Sequence, residues 1–313
     1  MPRSSLRTAS SLPATSFQRK FGLPLSCLWL HVGEPIATNG KSCRLRVDPF
    51  GNNVAAAPGV SGDQARTTHD AFVTRVVRLI KEAGIPASGG GYGSVKGVFT
   101  KNINQSNLPL ADQDTLNGII PDAKIDGRAA VRLADRPPNE LHDTVTLVEV
   151  KGLATVAETV AHRAGRIDSD YDKAALALDT KYPGSTVLAE KKKYGAGGKV
   201  LGLVTGSLGN CSAGLIVVVD FIAGVNTVRA LELRITNQDQ LFSMYRRRLV
   251  SSFGLFTTRL WARHIHDRFR DAVAVTAPSH ISHFPDPDRE ITRDYHLSRS
   301  HARPRRCGPR RSA

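Results

Sequence analysis

Cysteine is scarce in this 313-residue chain, and no two cysteines form a CxxC pair. Disulfide scaffolds are dense in cysteine, and structural zinc sites usually carry ligands only a few residues apart. The sequence therefore predicts a protein of a reducing compartment, without a disulfide framework and without a zinc site. The four cysteines are Cys27, Cys43, Cys211 and Cys307.

Long apolar runs are also missing. No stretch of about 18 uninterrupted apolar residues occurs, which is the length needed to span a membrane. We therefore expect no transmembrane helix. The chain is nevertheless 41% hydrophobic and 23% charged, which suits a protein with a buried core. Its length corresponds to one large domain or two modest ones.

Acidic residues are outnumbered, since 28 Asp and Glu stand against 43 Lys and Arg, a formal net charge of +15. Such a surplus attracts polyanions, of which nucleic acid is the commonest. Residues 1–33 contain no acid, as in an organellar transit peptide or a flexible basic arm. Residues 299–313 contain six arginines and no acid, which predicts a disordered basic tail.

Hydrophobic patterning predicts strands that alternate with helices, which favours an α/β core. Residues 213–223 are uniformly apolar and fit either a strand or a buried helix. Residues 33–62 are rich in Gly, Pro, Asn and Ala and are typical of loops. The predicted helices are 68–83, 156–166, 171–181 and 237–275, and the predicted strands are 95–100, 122–133, 144–151 and 200–205.

Three short motifs fail on physical grounds. Residues 39–42 (NGKS) look like the end of a phosphate-binding P-loop, but Pro35 stands where its first glycine belongs. The glycine cluster 89–93 does not complete GxGxxG and is typical of a turn. His264 and His266 are two residues apart on a predicted helix, so their side chains point in different directions. None of these motifs favours a nucleotide or metal site.

Two acids and a lysine remain as a candidate functional site. In a strand, Glu149 and Lys151 share a face while Val148 and Val150 point to the opposite side. A preceding strand that folds back could bring Asp122 beside them. Two neighbouring carboxylates repel each other unless a cation or proton intervenes, and Mg²⁺ is commonly held by one or two carboxylates. With a lysine to assist an attacking water, this arrangement is typical of phosphodiester hydrolysis.

Two simpler interpretations compete with this one. An Asp after a proline is often a turn residue, and a Glu and a Lys two apart are often a solvated strand face. The chain would then be a nucleic-acid-binding module without catalysis. Its contacts would come from the basic tails and from an arginine-rich helix face over 246–270.

A family resemblance follows from these residues. The sequence PD at 121–122 with EVK at 149–151 resembles the signature of the PD-(D/E)XK nuclease superfamily, whose fold is that of type II restriction endonucleases. Residues 43–53 (CRLRVDPFGNN) are similar to part of a zinc knuckle. A knuckle followed by such an endonuclease ends the polyproteins of some non-LTR retrotransposons. Of the knuckle ligands only Cys43 is present, so zinc is not expected.

The resemblance implies a function, a fold and a cofactor. The function would be Mg²⁺- or Mn²⁺-dependent cleavage of DNA, with Asp122 and Glu149 on the metal and Lys151 assisting the water. The alternative is a non-catalytic remnant of such an element that still binds nucleic acid. The fold would be a restriction-endonuclease-like mixed sheet flanked by helices at 64–235, with a helical extension at 236–276. Residues 1–63 would be a basic, loop-rich region and 277–313 a basic tail. A nuclear location is implied, with a mitochondrial one as the alternative.

Further site residues are expected around this centre. Nucleases of this kind often carry another acid on the first helix, where Glu82 is the candidate and Asp70 the second choice. Asp126 shares a strand face with Asp122 and could replace it as the metal ligand. Contacts to nucleic-acid phosphates are expected from basic side chains. These are Arg66, His69, Lys173, Lys191, Lys192 and Lys193.

Overall fold

The computed structural model describes residues 11–21, 23–38, 41–57, 62–100, 103–153, 157–182, 186–206, 208–232 and 237–274. The predicted C-terminal tail and the first ten residues lie outside these ranges. The described helices are α1 (Ser11–Lys20), α2 (Asn52–Ala56), α3 (Gly62–Glu82), α4 (Leu110–Gly118), α5 (Ala157–Lys181), α6 (Val187–Lys191), α7 (Ala213–Glu232) and α8 (Gln238–Ala274). The described strands are β1 (Pro35–Thr38), β2 (Lys41–Arg46), β3 (Ala87–Gly89), β4 (Ala123–Asp126), β5 (Val145–Leu153) and β6 (Leu201–Gly206).

A four-stranded mixed sheet lies at the centre of the fold, in the order β3-β4-β5-β6. The pairs β3–β4 and β4–β5 are antiparallel, and β6 runs parallel to β5. The parallel pair is joined through α5, as a parallel connection requires a long crossover. In the register of the central pair, Ala123 lies opposite Val148, and Glu149 lies beside Gly202 of β6. The α/β class is thereby confirmed.

Helices cover both faces of this sheet. The alternate residues Val148 and Val150 point into the main core, which α3, α7 and α8 complete. Leu147 points to the other face and packs with Ile167 of α5. Gly202 allows α5 to approach β6 closely, because a side chain there would meet the Ala164 carbonyl at 2.9 Å. The sheet is therefore the middle layer of three.

Within residues 11–21, 23–38 and 41–57 the chain forms helices and strands, and β1, β2 and α2 lie where the sequence favours loops over 33–62. A β-hairpin of β1 and β2, the helices α1 and α2, and a 3₁₀ helix at Ser26–His31 pack on the C-terminal half of α8. Leu28, Val54, Trp261 and Ile265 belong to the small core between them. Each element is too short for its hydrophobic period to stand out, and its partner helix is some two hundred residues away.

The DPFG sequence shapes the turn before α2. The Asp48 carboxylate accepts hydrogen bonds from the backbone N–H of Phe50 at 3.0 Å and of Asn53 at 2.6 Å. Gly51 has a φ of +72°, and a side chain there would crowd Leu25 and Leu28. Asp48 and Gly51 thus have a structural role. Cys43 lies in β2, but its side chain is outside the described part.

Several element boundaries differ from the prediction. Residues 95–100 form turns, and the edge strand is instead β3, where glycine lies against β4. The strand expected over 122–133 is only the short β4. The two helices expected between 156 and 181 are the single helix α5. The ambiguous apolar run is the start of helix α7. The strand β5 and the helix α8 lie where the sequence predicts them.

Helix α7 is long and apolar enough to cross a membrane by length and composition, with a mean hydropathy of 1.7. Half of it is buried in the protein. Leu215, Val218 and Phe221 are completely buried in the main core. The packing of α7 in the main core therefore accounts for many of its apolar residues.

The arginines of α8 do not form one solvated face, contrary to the expectation. Arg268 is buried and donates hydrogen bonds to the carbonyls of Ala55 at 2.7 Å and Ala57 at 2.8 Å. Arg246 pairs with Asp220 at 2.6 Å. Part of the basic charge of this helix therefore holds the fold together.

Candidate active site

The start of β4 and the middle of β5 bring together two of the acids predicted from the sequence. Because Ala123 is opposite Val148 in an antiparallel pair, the residue before it, Asp122, lies across from Glu149. Directly opposed residues in such a pair have their side chains on one face, about 4.5–5.5 Å apart at Cβ. Lys151 is two residues further on β5 and shares that face. The structure thus places Asp122, Glu149 and Lys151 in one cluster.

The Asp122 carboxylate is held from two sides. Its Oδ2 accepts a hydrogen bond from the Val150 N–H at 2.7 Å and lies 3.0 Å from the His69 Nε2. On the neighbouring strand, Gly89 has a φ of +126°, and a side chain there would meet the Asp122 carbonyl oxygen at 2.3 Å. Asp122 is therefore locked in position by β5, by α3 and by the close approach of β3.

The Glu149 carboxylate is almost buried, with 7% of the residue exposed. Its Oε2 accepts a hydrogen bond from the Tyr171 hydroxyl at 2.7 Å, and its Oε1 lies 2.5 Å from the Lys151 Nζ. Lys151 is partly exposed, so its ammonium connects the buried carboxylate with the surface. A buried carboxylate needs such partners because an unpaired buried charge is costly.

Two pKa shifts follow from this arrangement. The pKa of His69 is raised from 6.5 to about 9, and the main cause is its hydrogen bond to Asp122. Burial of the imidazole lowers this pKa, and a second hydrogen bond, to Asp70, raises it. His69 is therefore a cation at neutral pH, and both ring nitrogens donate. Burial and then the negative charge of Glu149 raise the pKa of Tyr171 above its usual value. Its phenol stays protonated and donates.

The donor atoms at this site suit a hard divalent cation. Asp122 and Glu149 supply carboxylate oxygens on adjacent strands, and Mg²⁺ commonly takes one or two carboxylates and fills its other positions with water and phosphate oxygens. No group of three or more His, Cys, Asp or Glu side chains that could hold a metal occurs within the described ranges. The residues present therefore fit Mg²⁺ bound largely through water and substrate, and not a fully protein-coordinated ion.

The additional acids proposed from the sequence lie elsewhere. Glu82 is exposed and pairs with Arg78 at 2.7 Å; at 1.5 Å per residue it is about 20 Å along α3 from His69. Asp126 pairs with Arg128 and is about 13 Å along β4 from Asp122. Neither one reaches the cluster. Asp70, the second choice, contacts the site only through the His69 Nδ1 at 3.0 Å.

Most of the predicted phosphate contacts are at the surface, with one exception. Arg66, Lys173, Lys192 and Lys193 are exposed. Lys191 is buried. Its Nζ donates to Asp168 at 2.7 Å, to Asp172 at 2.8 Å and to the Gly198 carbonyl at 2.6 Å. Lys191 therefore joins α5 to the loop before β6 and has no exposed amine for a phosphate.

The sequence gives no sign of Tyr171 and does not link His69 to Asp122. Tyr171 is 22 residues from Glu149 along the chain and belongs to no recognisable motif with it. Only the packing of α5 across the sheet brings its hydroxyl to the carboxylate. His69 was expected as a phosphate contact, and its link to Asp122 depends on how α3 crosses the end of β4. No local pattern carries either contact.

Comparisons of the chain with protein-family models, with curated proteins and with solved structures return no match.

Proposed function

We propose that this chain is a Mg²⁺-dependent endonuclease that hydrolyses DNA phosphodiester bonds. The observation that carries the proposal is the opposition of Asp122 and Glu149 on adjacent strands, with Lys151 on the same face. The four-stranded mixed sheet between helices is also the coarse architecture that the PD-(D/E)XK resemblance implies. Membership of that superfamily, and descent from a retroelement, are parts of the same proposal.

Each side chain has a distinct role in this mechanism. Asp122 and Glu149 would hold the cation, and a bound Mg²⁺ would supply positive charge against the phosphate. Lys151 places its ammonium where it can orient the attacking water and offset the developing charge. Tyr171 fixes one oxygen of Glu149, while His69 balances the charge of Asp122. The exposed Arg66 is one helical turn from His69 and Asp70 on α3, in reach of a DNA backbone at this edge.

Nicking of supercoiled plasmid tests the proposal. We expect nicking with Mg²⁺ or Mn²⁺, and none with EDTA or in the Lys151→Ala variant. The sharper comparison is Asp122→Asn against Asp126→Asn, because both change an acid on the same strand face and only Asp122 is at the cluster. Asp122→Asn keeps an oxygen acceptor for the Val150 N–H, which protects the local fold.

The result that would refute the proposal is clear. Wild-type nicking rates in Asp122→Asn and Lys151→Ala would show that any activity has another source. Loss of nicking in Asp126→Asn but not in Asp122→Asn would move the site to the other end of β4.

A second function rests on a different observation. Arg247, Arg248 and Arg259 are exposed on α8, and such side chains bind nucleic-acid backbones without catalysis. This alternative is a nucleic-acid-binding protein without nuclease activity. It predicts that the protein binds plasmid DNA and that this binding weakens steeply as the salt concentration rises. Neither EDTA nor the substitution Asp122→Asn should reduce the binding.

A further inference from the structure

An apolar surface near the N-terminus is exposed to solvent. Phe17, Phe21 and Trp29, which we call the N-terminal aromatic face, are 59%, 60% and 65% exposed. Large side chains of this kind bury 150–250 Å² each when they are covered. Three aliphatic neighbours in the sequence are exposed as well, namely Leu23, Leu30 and Val32.

Two of the three aromatic rings are in contact at the end of α1, and a side-chain contact joins the segment that carries Trp29 to the same helix. The rings of Phe17 and Phe21 are 4.7 Å apart between centroids and tilted by 48°. Gln18, next to Phe17, accepts hydrogen bonds from both the backbone N–H and the hydroxyl of Ser26. In a 3₁₀ helix residues three apart eclipse each other, so Trp29 lies over Ser26. The contact to Gln18 therefore joins α1 to the helical turn that carries Trp29.

The sequence around these rings is basic. Residues 1–33 contain no acid, and Arg19 and Lys20 stand between the two phenylalanines in sequence. The two acids of residues 11–57 are already engaged, Glu34 with His31 and Asp48 with backbone amides. Exposed aromatic rings in a basic segment without acids match a partner that has both flat apolar faces and negative charges.

We propose that the N-terminal aromatic face binds single-stranded nucleic acid by stacking of its bases on Phe17, Phe21 and Trp29. A duplex hides the faces of its bases, whereas a single strand exposes them to aromatic side chains. The basic residues then attract the backbone, and the rings contribute affinity that does not depend on sequence. The proposal is separate from cleavage, since the face shares no residue with the Asp122–Glu149 cluster.

Tryptophan fluorescence gives a direct test, because the chain has only two tryptophans and Trp261 is 8% exposed. The full-length protein is titrated with a short oligothymidylate in EDTA, so that cleavage plays no part. We expect quenching of the emission, and loss of that quenching in Trp29→Phe with affinity kept within a few-fold. Fluorescence anisotropy of a labelled oligothymidylate should show at least about fivefold weaker binding for Phe21→Ala and Trp29→Ala.

The controls separate stacking from charge and from self-association. Leu110→Ala removes an exposed apolar side chain on α4 and should leave the affinity unchanged. The salt dependence of binding should be the same in wild type and Trp29→Ala, since no phosphate contact is removed. Wild-type affinity in both aromatic variants, or equal affinity for duplex and single strand, would overturn the proposal. So would a dimer, measured by sedimentation, that Trp29→Ala dissociates without any change in oligothymidylate binding. In that case the face joins two copies of the chain.

Discussion

The hydrogen bond between His69 and Asp122 makes the stability of the protein depend on pH. Because the pKa of His69 rises from 6.5 in the unfolded chain to about 9 in the fold, the folded state holds its proton more tightly. The stabilisation is complete below about pH 6.5 and is lost as the pH rises through about 9. Its full size corresponds to about 3 kcal/mol, an upper value because the side chain keeps some contact with water.

The perturbation is His69→Gln, which keeps a hydrogen-bond donor but cannot titrate. Urea unfolding of wild type and variant is measured in EDTA from about pH 6 to about pH 10, so that no metal competes for Asp122. We expect the difference in the free energy of unfolding to be largest near pH 6 and to shrink by about 2–3 kcal/mol by pH 10. Effects of other titrating groups cancel in the difference.

Site-resolved titration completes the assay. The imidazole NMR signals of His69 should show its pKa fall towards 6.5 in Asp122→Asn and fall by less in Asp70→Asn, because the bond to Asp122 is the largest cause of the shift. A wild-type His69 that titrates near 6.5 would refute the reasoning. A stability difference that does not change with pH would refute it as well.

Three further outcomes can be measured. Lys191→Met should reduce the free energy of unfolding in urea by about 1–3 kcal/mol, because its two aspartate partners and a carbonyl lose their donor. The exposed neighbour is the control, since Lys192→Met should change it by less than about 0.5 kcal/mol. Gly89→Ala should cost about 1–3 kcal/mol more than Gly91→Ala, because both have positive φ but only the first meets backbone; equal losses in thermal melts would contradict this. Tyr171→Phe should weaken Mn²⁺ binding by about fivefold in calorimetry, since one hydrogen bond to a proposed metal ligand is lost. Unchanged Mn²⁺ binding would show that Tyr171 does not support the proposed metal ligand.

The parts of the fold predicted correctly are those with a strong local pattern. The β-branched run of β5 alternates in a way that only a strand satisfies, and α8 repeats its apolar positions over many turns. The α/β class follows from their order along the chain. Glu149 and Lys151 were placed on one face for the same reason, because the pleat of a strand has a period of two residues.

The missed parts depend on contacts between distant segments. The N-terminal layer consists of elements of four to ten residues, and the surface that they cover belongs to α8. A run of lysines is typical of a solvent-exposed surface. Lys191 nevertheless points inward, because Asp168 and Asp172 on α5 accept hydrogen bonds from its ammonium. Residues 90–93 form the turn that the sequence predicts. Gly89 is instead the end of an edge strand, which packs against the β4 backbone.

The sequence by itself determined the central strand, the alternation of strands and helices that defines the α/β class, and the shared face of Glu149 and Lys151, because each follows from the geometry of neighbouring residues. Only the tertiary structure decided which acid joins them. Asp122 and Asp126 lie on the same strand face, and the register of β4 against β5 brings only Asp122 opposite Glu149. The contacts of His69 with Asp122 and of Tyr171 with Glu149 also depend on the tertiary structure, because helices on opposite faces of the sheet supply these two side chains. Local patterns determine the face of a strand or helix on which a side chain lies. The distance between two helices is instead set by the core that is packed between them.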